Sequence, residues 1–453
     1  MKSVLRWLFV FLMAILIPAC GSGSNSKGPS TLAAPPLTLA ATGATTGRID
    51  LTWVDDSSNE FQFQIERSDA LAGPYTQIAA VPMNTQGYSD LGLLPNKQYF
   101  YRVTAWNSLG SSAYAGPSNA TTKPLTWKST IGGPGFRAEH SAIYDSLGRR
   151  MILFGGQDDF FTWYNDVWSL DLTPTTDVMT TPPTNHWAPL TTTGTAPSER
   201  IGHSAIYDVA NNRMIVFGGR DSSGYRNDVH VLTLGTTPTW SEATPAGPIP
   251  SGRLGHTAVY DAANQRMVIF GGNDLASEKA DAHVLSLPSN PPFTWSPLPN
   301  GPVKRTDHSA IYDGFRGRMI VFAGLDNDPA DGTPLNNDTW SLILGSTSAW
   351  SQLSFPGTPF FRFGHSAVYD AANQRMVVFG GTASLAPPFG NELWALRLDS
   401  TATWTFLSPS AGTPPPAHQG HTAVYDSGRE RMILFGGYDN SGFPADDTWL
   451  SDF

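Results

Sequence analysis

Six copies of one short pattern constrain this 453-residue chain more than any other feature of it. His, Ser or Thr, Ala, Ile or Val, Tyr and Asp run together from His140, His203, His256, His308, His365 and His421, at steps of 63, 53, 52, 57 and 56 residues. Each copy leads through a short turn to Arg-Met and an apolar run that ends in a glycine pair: Gly155-Gly156, Gly218-Gly219, Gly271-Gly272, Gly380-Gly381 and Gly436-Gly437. The fourth copy has Ala323-Gly324 instead. A third run follows, as in Asn165-Asp166-Val167-Trp168-Ser169-Leu170 or Asn337-Asp338-Thr339-Trp340-Ser341-Leu342, and a tryptophan marks a fourth. Short apolar runs bounded by turn residues read as strands. One four-stranded unit cannot bury both of its faces, so successive units must stack around an axis.

Strand, turn, strand, glycine pair, strand and tryptophan strand at a period near fifty resembles the kelch repeat, from Trp127 to Phe453. The resemblance implies a six-bladed β-propeller. Trp187, Trp240, Trp295, Trp350 and Trp404 follow copies one to five, but the chain stops within the third strand of the sixth, at Asp446-Asp447-Thr448-Trp449-Leu450. The missing outer strand is therefore expected from Leu125-Thr126-Trp127-Lys128, which puts the propeller at 124–453.

Residues 37–123 alternate with period two at Ile49-Asp50-Leu51-Thr52-Trp53, Phe61-Gln62-Phe63-Gln64-Ile65 and Tyr99-Phe100-Tyr101-Arg102-Val103. With Leu93-Leu94-Pro95 ahead of Tyr99 and Asn107-Ser108-Leu109-Gly110 after it, this stretch resembles a fibronectin type III domain. The resemblance implies a β-sandwich spacer in which Tyr99 is the tyrosine corner. The expected fold class is all-β throughout. Residues 1–19 read as a signal peptide: Lys2 and Arg6, an apolar run from Trp7 to Ile17, then Ile17-Pro18-Ala19-Cys20-Gly21, which resembles the bacterial lipobox. Cys20 is the expected site of lipidation, and residues 20–36 read as a flexible tether. Gly21 after the thiol suggests the outer membrane, facing either the periplasm or the surface.

Formal net charge of −10 argues against nucleic-acid binding and against electrostatic adhesion to anionic lipid, leaving the N-terminal lipid as the one contact with membrane. The sole cysteine allows no internal disulfide. Some kelch propellers are copper radical oxidases with a tyrosine crosslinked to cysteine; a propeller without cysteine does not fit them, and no cofactor is expected.

Six repeated histidines invite a metal hypothesis, yet equivalent positions on six blades lie around a ring, whereas a metal needs its donors together. A structural role at the start of each inner strand is the expectation. The Tyr-Asp pairs, such as Tyr144-Asp145, are assigned to packing and turns. Three residues before the histidines stand Arg137, Arg200, Arg253, Arg305 and Arg362, with His418 in sixth place. Kelch resemblance puts them near the channel, where they either clamp a ligand or bond backbone carbonyls between blades. Irregular loops on that face supply further ligand-binding candidates: Phe160, Phe161, Trp163, Tyr164, Tyr225, Arg226, Phe360, Phe361, Phe363, Phe389, Tyr438 and Phe443. Asp326 to Asp331 superficially resembles a calcium loop but departs from that spacing. No catalytic residue and no metal ligand is assigned. These readings converge on a lipid-anchored, monomeric envelope protein that presents a kelch propeller to a glycan or a protein. A sugar mutarotase and a purely structural envelope protein are the alternatives.

Overall fold

The computed structural model describes residues 29–130, 133–173, 186–326, 335–383, 389–399, 402–409 and 413–452. Among these the chain is all strand and turn, without an α-helix, and no helix is long and apolar enough to cross a membrane. Six antiparallel sheets carry the repeats, four of them purely in sequence order. The first joins Ser141–Asp145, Arg150–Phe154, Val167–Asp171 and Trp187–Pro189. The second gains the two-residue strand Thr193–Gly194, parallel to Thr239–Ala243 at its outer edge. The sixth takes three strands from the end of the chain and its outer strand from Thr126–Thr130, which pairs with Thr448–Asp452 in the register Trp127 opposite Ser451.

Each sheet leans on the next through the same contacts, and the cycle returns to its start. The middle-strand phenylalanine of one blade is clamped by a tryptophan and a histidine of the following blade. Phe154 meets Trp240 and His203, and Phe435 of the sixth blade meets Trp187 and His140 of the first, all at ring centroids of 5.1 to 5.4 Å. Trp127 occupies the sixth tryptophan place, 5.5 Å from Phe379. Such aromatic pairs add about 0.5–1.5 kcal/mol beyond the area they bury. Below them a polar chain repeats. The inner-strand aspartate holds the arginine five residues on, from Arg150 on Asp145 at 2.8 Å round to Arg431 on Asp426 at 3.0 Å. A tyrosine of the next blade donates to the same carboxylate, as Tyr260 to Asp208, Tyr312 to Asp261 and Tyr144 to Asp426, each at 2.7 Å. The Tyr-Asp pairs therefore tie blades together as well as closing turns.

N-terminal to the ring, Leu37–Gly43, Arg48–Val54 and Gly87–Leu91 form one sheet. Thr76–Pro82, Gln62–Ser68, Gln98–Asn107 and Ala115–Thr121 belong to a second. Ile49, Leu51, Trp53, Phe63, Ile65, Tyr101 and Val103 fill the core between them. The Tyr99 ring is buried and its hydroxyl accepts the Leu94 amide at 3.1 Å. This unit docks on the turn between Ser366–Asp370 and Arg375–Phe379, at the end of the fifth blade remote from His365. There the Thr45 hydroxyl donates to Asn373 Oδ1 at 3.1 Å, Arg375 donates to the Thr46 hydroxyl at 3.4 Å, and all four residues are buried.

Candidate functional site

At the opposite end, where the inner strands begin, the residue preceding each repeat histidine lines the channel mouth. These six residues form a closed ring of backbone hydrogen bonds. Gly202 donates to Glu139, Gly255 to Gly202, Asp307 to Gly255, Gly364 to Asp307, Gly420 to Gly364, and Glu139 back to Gly420, at 2.8 to 3.0 Å. Every member has positive φ: 63° to 65° for the four glycines, 56° for Glu139 and 52° for Asp307. Side chains rarely adopt that left-handed region, and holding one there costs on the order of 1–3 kcal/mol. Two of six places thus carry acids where glycine is the unstrained choice, three blades apart and facing each other across the mouth.

Both acids line a cavity of about 320 Å³ with the six histidines, Leu254, Phe363, Gln419 and Tyr438. Burial pushes the Glu139 carboxyl up to about 7, with the charge of Asp307 adding to it and the Tyr438 hydroxyl and Arg220 opposing. Burial likewise pushes Asp307 up to about 6. Asp307 leans over Gly255, where an added Cβ would lie 2.7 Å from its Oδ1. Glu139 is reached by a hydrogen-bonded chain: Trp163 Nε1 donates to Gln157 Oε1 at 3.0 Å, Gln157 Nε2 donates to the Tyr438 hydroxyl, and that hydroxyl bonds Glu139. Arg220 is exposed beside it, its guanidinium 5.9 Å from the Trp163 ring centre and 5.8 Å from that of Tyr225.

Beneath the acids the six imidazoles are buried, and each shares its Nε2 with a Ser or Thr hydroxyl of the preceding blade. His203 bonds Ser141 at 2.9 Å and His308 bonds Thr257 at 2.7 Å. Burial, reinforced by neighbouring cationic or histidine side chains, holds His203, His256 and His421 down at about 3, so they are neutral at ordinary pH. Among the described residues no group of three or more potential ligands is placed to hold a metal ion.

The five arginines are placed differently from a ligand-facing ring, and that expectation is corrected. Arg137, Arg200, Arg253, Arg305 and Arg362 are buried, and each Nη1 donates to a carbonyl of its own blade: Gly155, Gly218, Gly271, Ala323 and Gly380. Four of them grip the acid that opens the third strand, Asp166, Asp228, Asp281 or Asp338, at 2.5 to 2.8 Å; Arg362 faces Glu392 at 3.5 Å. Burial disfavours the charged form of Asp228, yet the Arg200 and His230 hydrogen bonds hold its carboxyl well below the usual range. The backbone carbonyls of these arginines do bridge blades: Arg200 O accepts from Gly156 and Arg253 O from Gly219.

Among the aromatic candidates, Phe160, Phe161, Phe360, Phe361 and Phe443 are exposed, at 81%, 78%, 79%, 45% and 58%. Their loops are ordered by short side chains. Asp158 accepts from the amides of Phe160 and Thr162 and from the Tyr164 hydroxyl, and Asp439 accepts from Ser441 and Phe443. Trp163, Tyr164, Tyr225, Arg226 and Tyr438 are half-buried. Tyr164 lies over the Arg137 guanidinium, and Arg226 faces Asp221 at 3.3 Å. Phe363 and Phe389 are buried; Phe363 lines the channel-mouth cavity, whereas Phe389 is no surface contact, a further correction for it as a ligand-binding candidate. Cys20 lies outside the described residues, as does most of the Asp326 to Asp331 loop. Glu139 and Asp307 escaped the sequence reading. Aligning the six copies on their histidines exposes both at once, because the other four have glycine there.

Two family descriptions match this region: the Attractin/LZTR1 beta-propeller over residues 117–336, and the KLHDC2/KLHL20/DRC7 Kelch-repeats domain over 347–453. Putative adagio-like protein 2 of Oryza sativa subsp. japonica is 32% identical over 269 residues, 55% of this chain and 40% of the relative. Adagio protein 3 of Arabidopsis thaliana is 28% identical over 332 residues, covering 70% and 50%. The Rab9 effector protein with kelch motifs of Xenopus laevis is 27% identical over 219 residues, covering 46% and 56%. The chain thus spans about half the length of these curated relatives. The solved structure titled "Structure of YjhT" shares the fold, with a TM-score of 0.52 and 13% identity, over 70% of this chain and 95% of that one.

Proposed function

We propose that this chain, which carries kelch-repeat β-propeller domains over residues 117–336 and 347–453, is a binding protein that engages a protein partner with the face around its channel mouth. In this reading residues 37–123 are a fibronectin type III-like spacer and Cys20 is the lipid anchor of a monomeric envelope protein. A glycan, whose rings stack on aromatic side chains, is the second class of ligand for the same face.

One observation carries the proposal. Phe161 stands 78% exposed at φ 60°, a backbone conformation that a bulky side chain adopts only where the surroundings impose it. Asp158 imposes it, and presents Phe160 and Phe161 to solvent on a fixed loop. Preorganised, exposed aromatics lose little conformational freedom when a partner covers them. The test is a Phe160→Ser/Phe161→Ser variant compared with Phe315→Ser on the far turns, where Phe315 is 73% exposed. Partners found by crosslinking on envelope extracts, and glycans found on an array, should be lost by the first variant alone. Equal loss in both would remove the proposal. Cys20→Ser, followed by membrane fractionation, tests the anchor: normal processing and retention in the membrane would exclude it.

A further inference from the structure

We propose that the channel mouth receives a cationic group, an ammonium or guanidinium on a lysine or arginine side chain of the partner, held between Glu139 and Asp307. The inference rests on the binding reading above and names the chemistry at its centre. The cavity lining has two carboxylates and no Lys or Arg; the cation near them, Arg220, is exposed and sits to the Glu139 side, against Trp163 and Tyr225. Ionised carboxylates only accept hydrogen bonds, and beyond the single hydroxyls of Tyr438 at Glu139 and Thr306 at Asp307 each has oxygen lone pairs to offer a donor between them, of which a charged one gives the stronger bonds. Burial raises the proton affinity of both acids, and the charge of Asp307 adds to it at Glu139, while the Thr306 hydroxyl opposes it at Asp307. A cation in the cavity lowers both affinities. His256, His308 and His421 line the floor of the same cavity, and burial holds them neutral, so they bring no competing positive charge to it.

The repeat itself supplies the control. Glu139→Gly and Asp307→Gly install the residue that the other four blades use, at a φ that suits it and with the backbone ring of hydrogen bonds kept. The experiment is calorimetric titration of the full chain with Nα-acetyl-lysine methylamide and Nα-acetyl-arginine methylamide, with the norleucine analogue as the uncharged control. The lysine or arginine probe should bind at least about tenfold more tightly than norleucine. Binding near pH 6.5 should release protons in buffers of different ionisation enthalpy, because Glu139 and Asp307 surrender theirs while the histidines are already neutral and Tyr438 stays protonated. The double glycine variant should lose the binding and melt no lower than the parent. Equal affinity for norleucine, absence of binding up to about 10 mM, undiminished binding by the glycine variant, or displacement of the probe by calcium at equal charge would each overturn the proposal. If the cationic probes fail while Phe160→Ser/Phe161→Ser still abolishes partner capture, the binding face stands and only its central chemistry is wrong.

Discussion

His140 Nε2 lies 2.7 Å from the hydroxyl oxygen of Thr422, across 282 residues of chain. The same bond joins every neighbouring pair of blades, so this one closes the circle between the first and the sixth. Closure by this bond, by the Phe435 clamp and by the Trp127 strand makes the propeller's two ends mutually dependent.

Trp127→Ala removes an aromatic that is 95% buried against Phe379, at an expected cost of about 3–5 kcal/mol. A chain beginning at Gly133 would leave Thr448–Asp452 as an unpaired edge, an aggregation hazard. Denaturant melts and size-exclusion profiles check both. Melting unchanged by the substitution would mean that the outer strand adds nothing to closure.

The arginine ring is expected to govern stability rather than affinity. Arg200→Met leaves Asp228 with His230 but without its buried guanidinium and should cost about 3–5 kcal/mol, since breaking a buried pair leaves the carboxylate's charge largely uncompensated. Arg200→Lys should recover only part of this, because one ammonium cannot serve both Asp228 oxygens and the Gly218 carbonyl in the guanidinium geometry. A normally melting Arg200→Met variant that has lost its ligand would reverse the assignment.

Acid should destabilise the propeller from about pH 6.5 downward, above the range in which exposed carboxylates titrate. The histidine values in the folded state are depressed, to about 3 for His203, His256 and His421. The unfolded chain therefore binds protons that the native one refuses, and their stabilisation is complete above the unfolded value near 6.5 and is lost as pH falls. Asp228 and Asp281, also depressed, extend the loss below about pH 4. A melting temperature flat from pH 7 to pH 4 would contradict buried neutral imidazoles.

Glu139 and Asp307 act with the opposite sign. Their folded values are raised to about 7 and 6, so their favourable contribution is present below the unfolded values and is lost as pH rises through the folded ones. Glu139→Gly and Asp307→Gly should each stabilise by about 1 kcal/mol through relief of backbone strain. That gain should grow between pH 4 and pH 7, read from paired thermal melts. A gain independent of pH would leave strain as the sole cause.

Gly219→Ala tests the pair that ends each middle strand. The added Cβ would lie 2.7 Å from the carbonyl oxygen of Ile201 and 2.8 Å from His203 Cβ, at φ 90°. Backbone must move, and a loss of several kcal/mol is expected, on the order of 3. Gly235→Ala, with open space around the site and no positive φ, should change stability by less than about 0.5 kcal/mol.

Much of the architecture was legible because the repeat makes its marks six times over, and the truncated last copy pointed to Trp127 as the missing outer strand. The N-terminal sheets were legible from period two at Ile49 to Trp53 and at Tyr99 to Val103. The site was less so. Arginine at a fixed distance before histidine has the same appearance whether it faces a ligand or an aspartate 28 residues away, and only the fold shows Arg200 on Asp228. Phe389 and Phe161 are alike as letters, yet one is buried and the other stands in solvent. Glu139 and Asp307 were visible as departures from the repeat's glycine; what they face required the ring to be closed.

The joint of Thr45 with Asn373 and of Thr46 with Arg375 sits on the turns at the far end from the Glu139 and Asp307 mouth. With Arg48 facing Glu430 at 3.8 Å and Gly92 lying against the Arg397 side chain, this joint sets the direction in which the mouth looks relative to residues 37–123, so that weakening Thr45 and Thr46 should loosen that direction while leaving the mouth's own chemistry untouched.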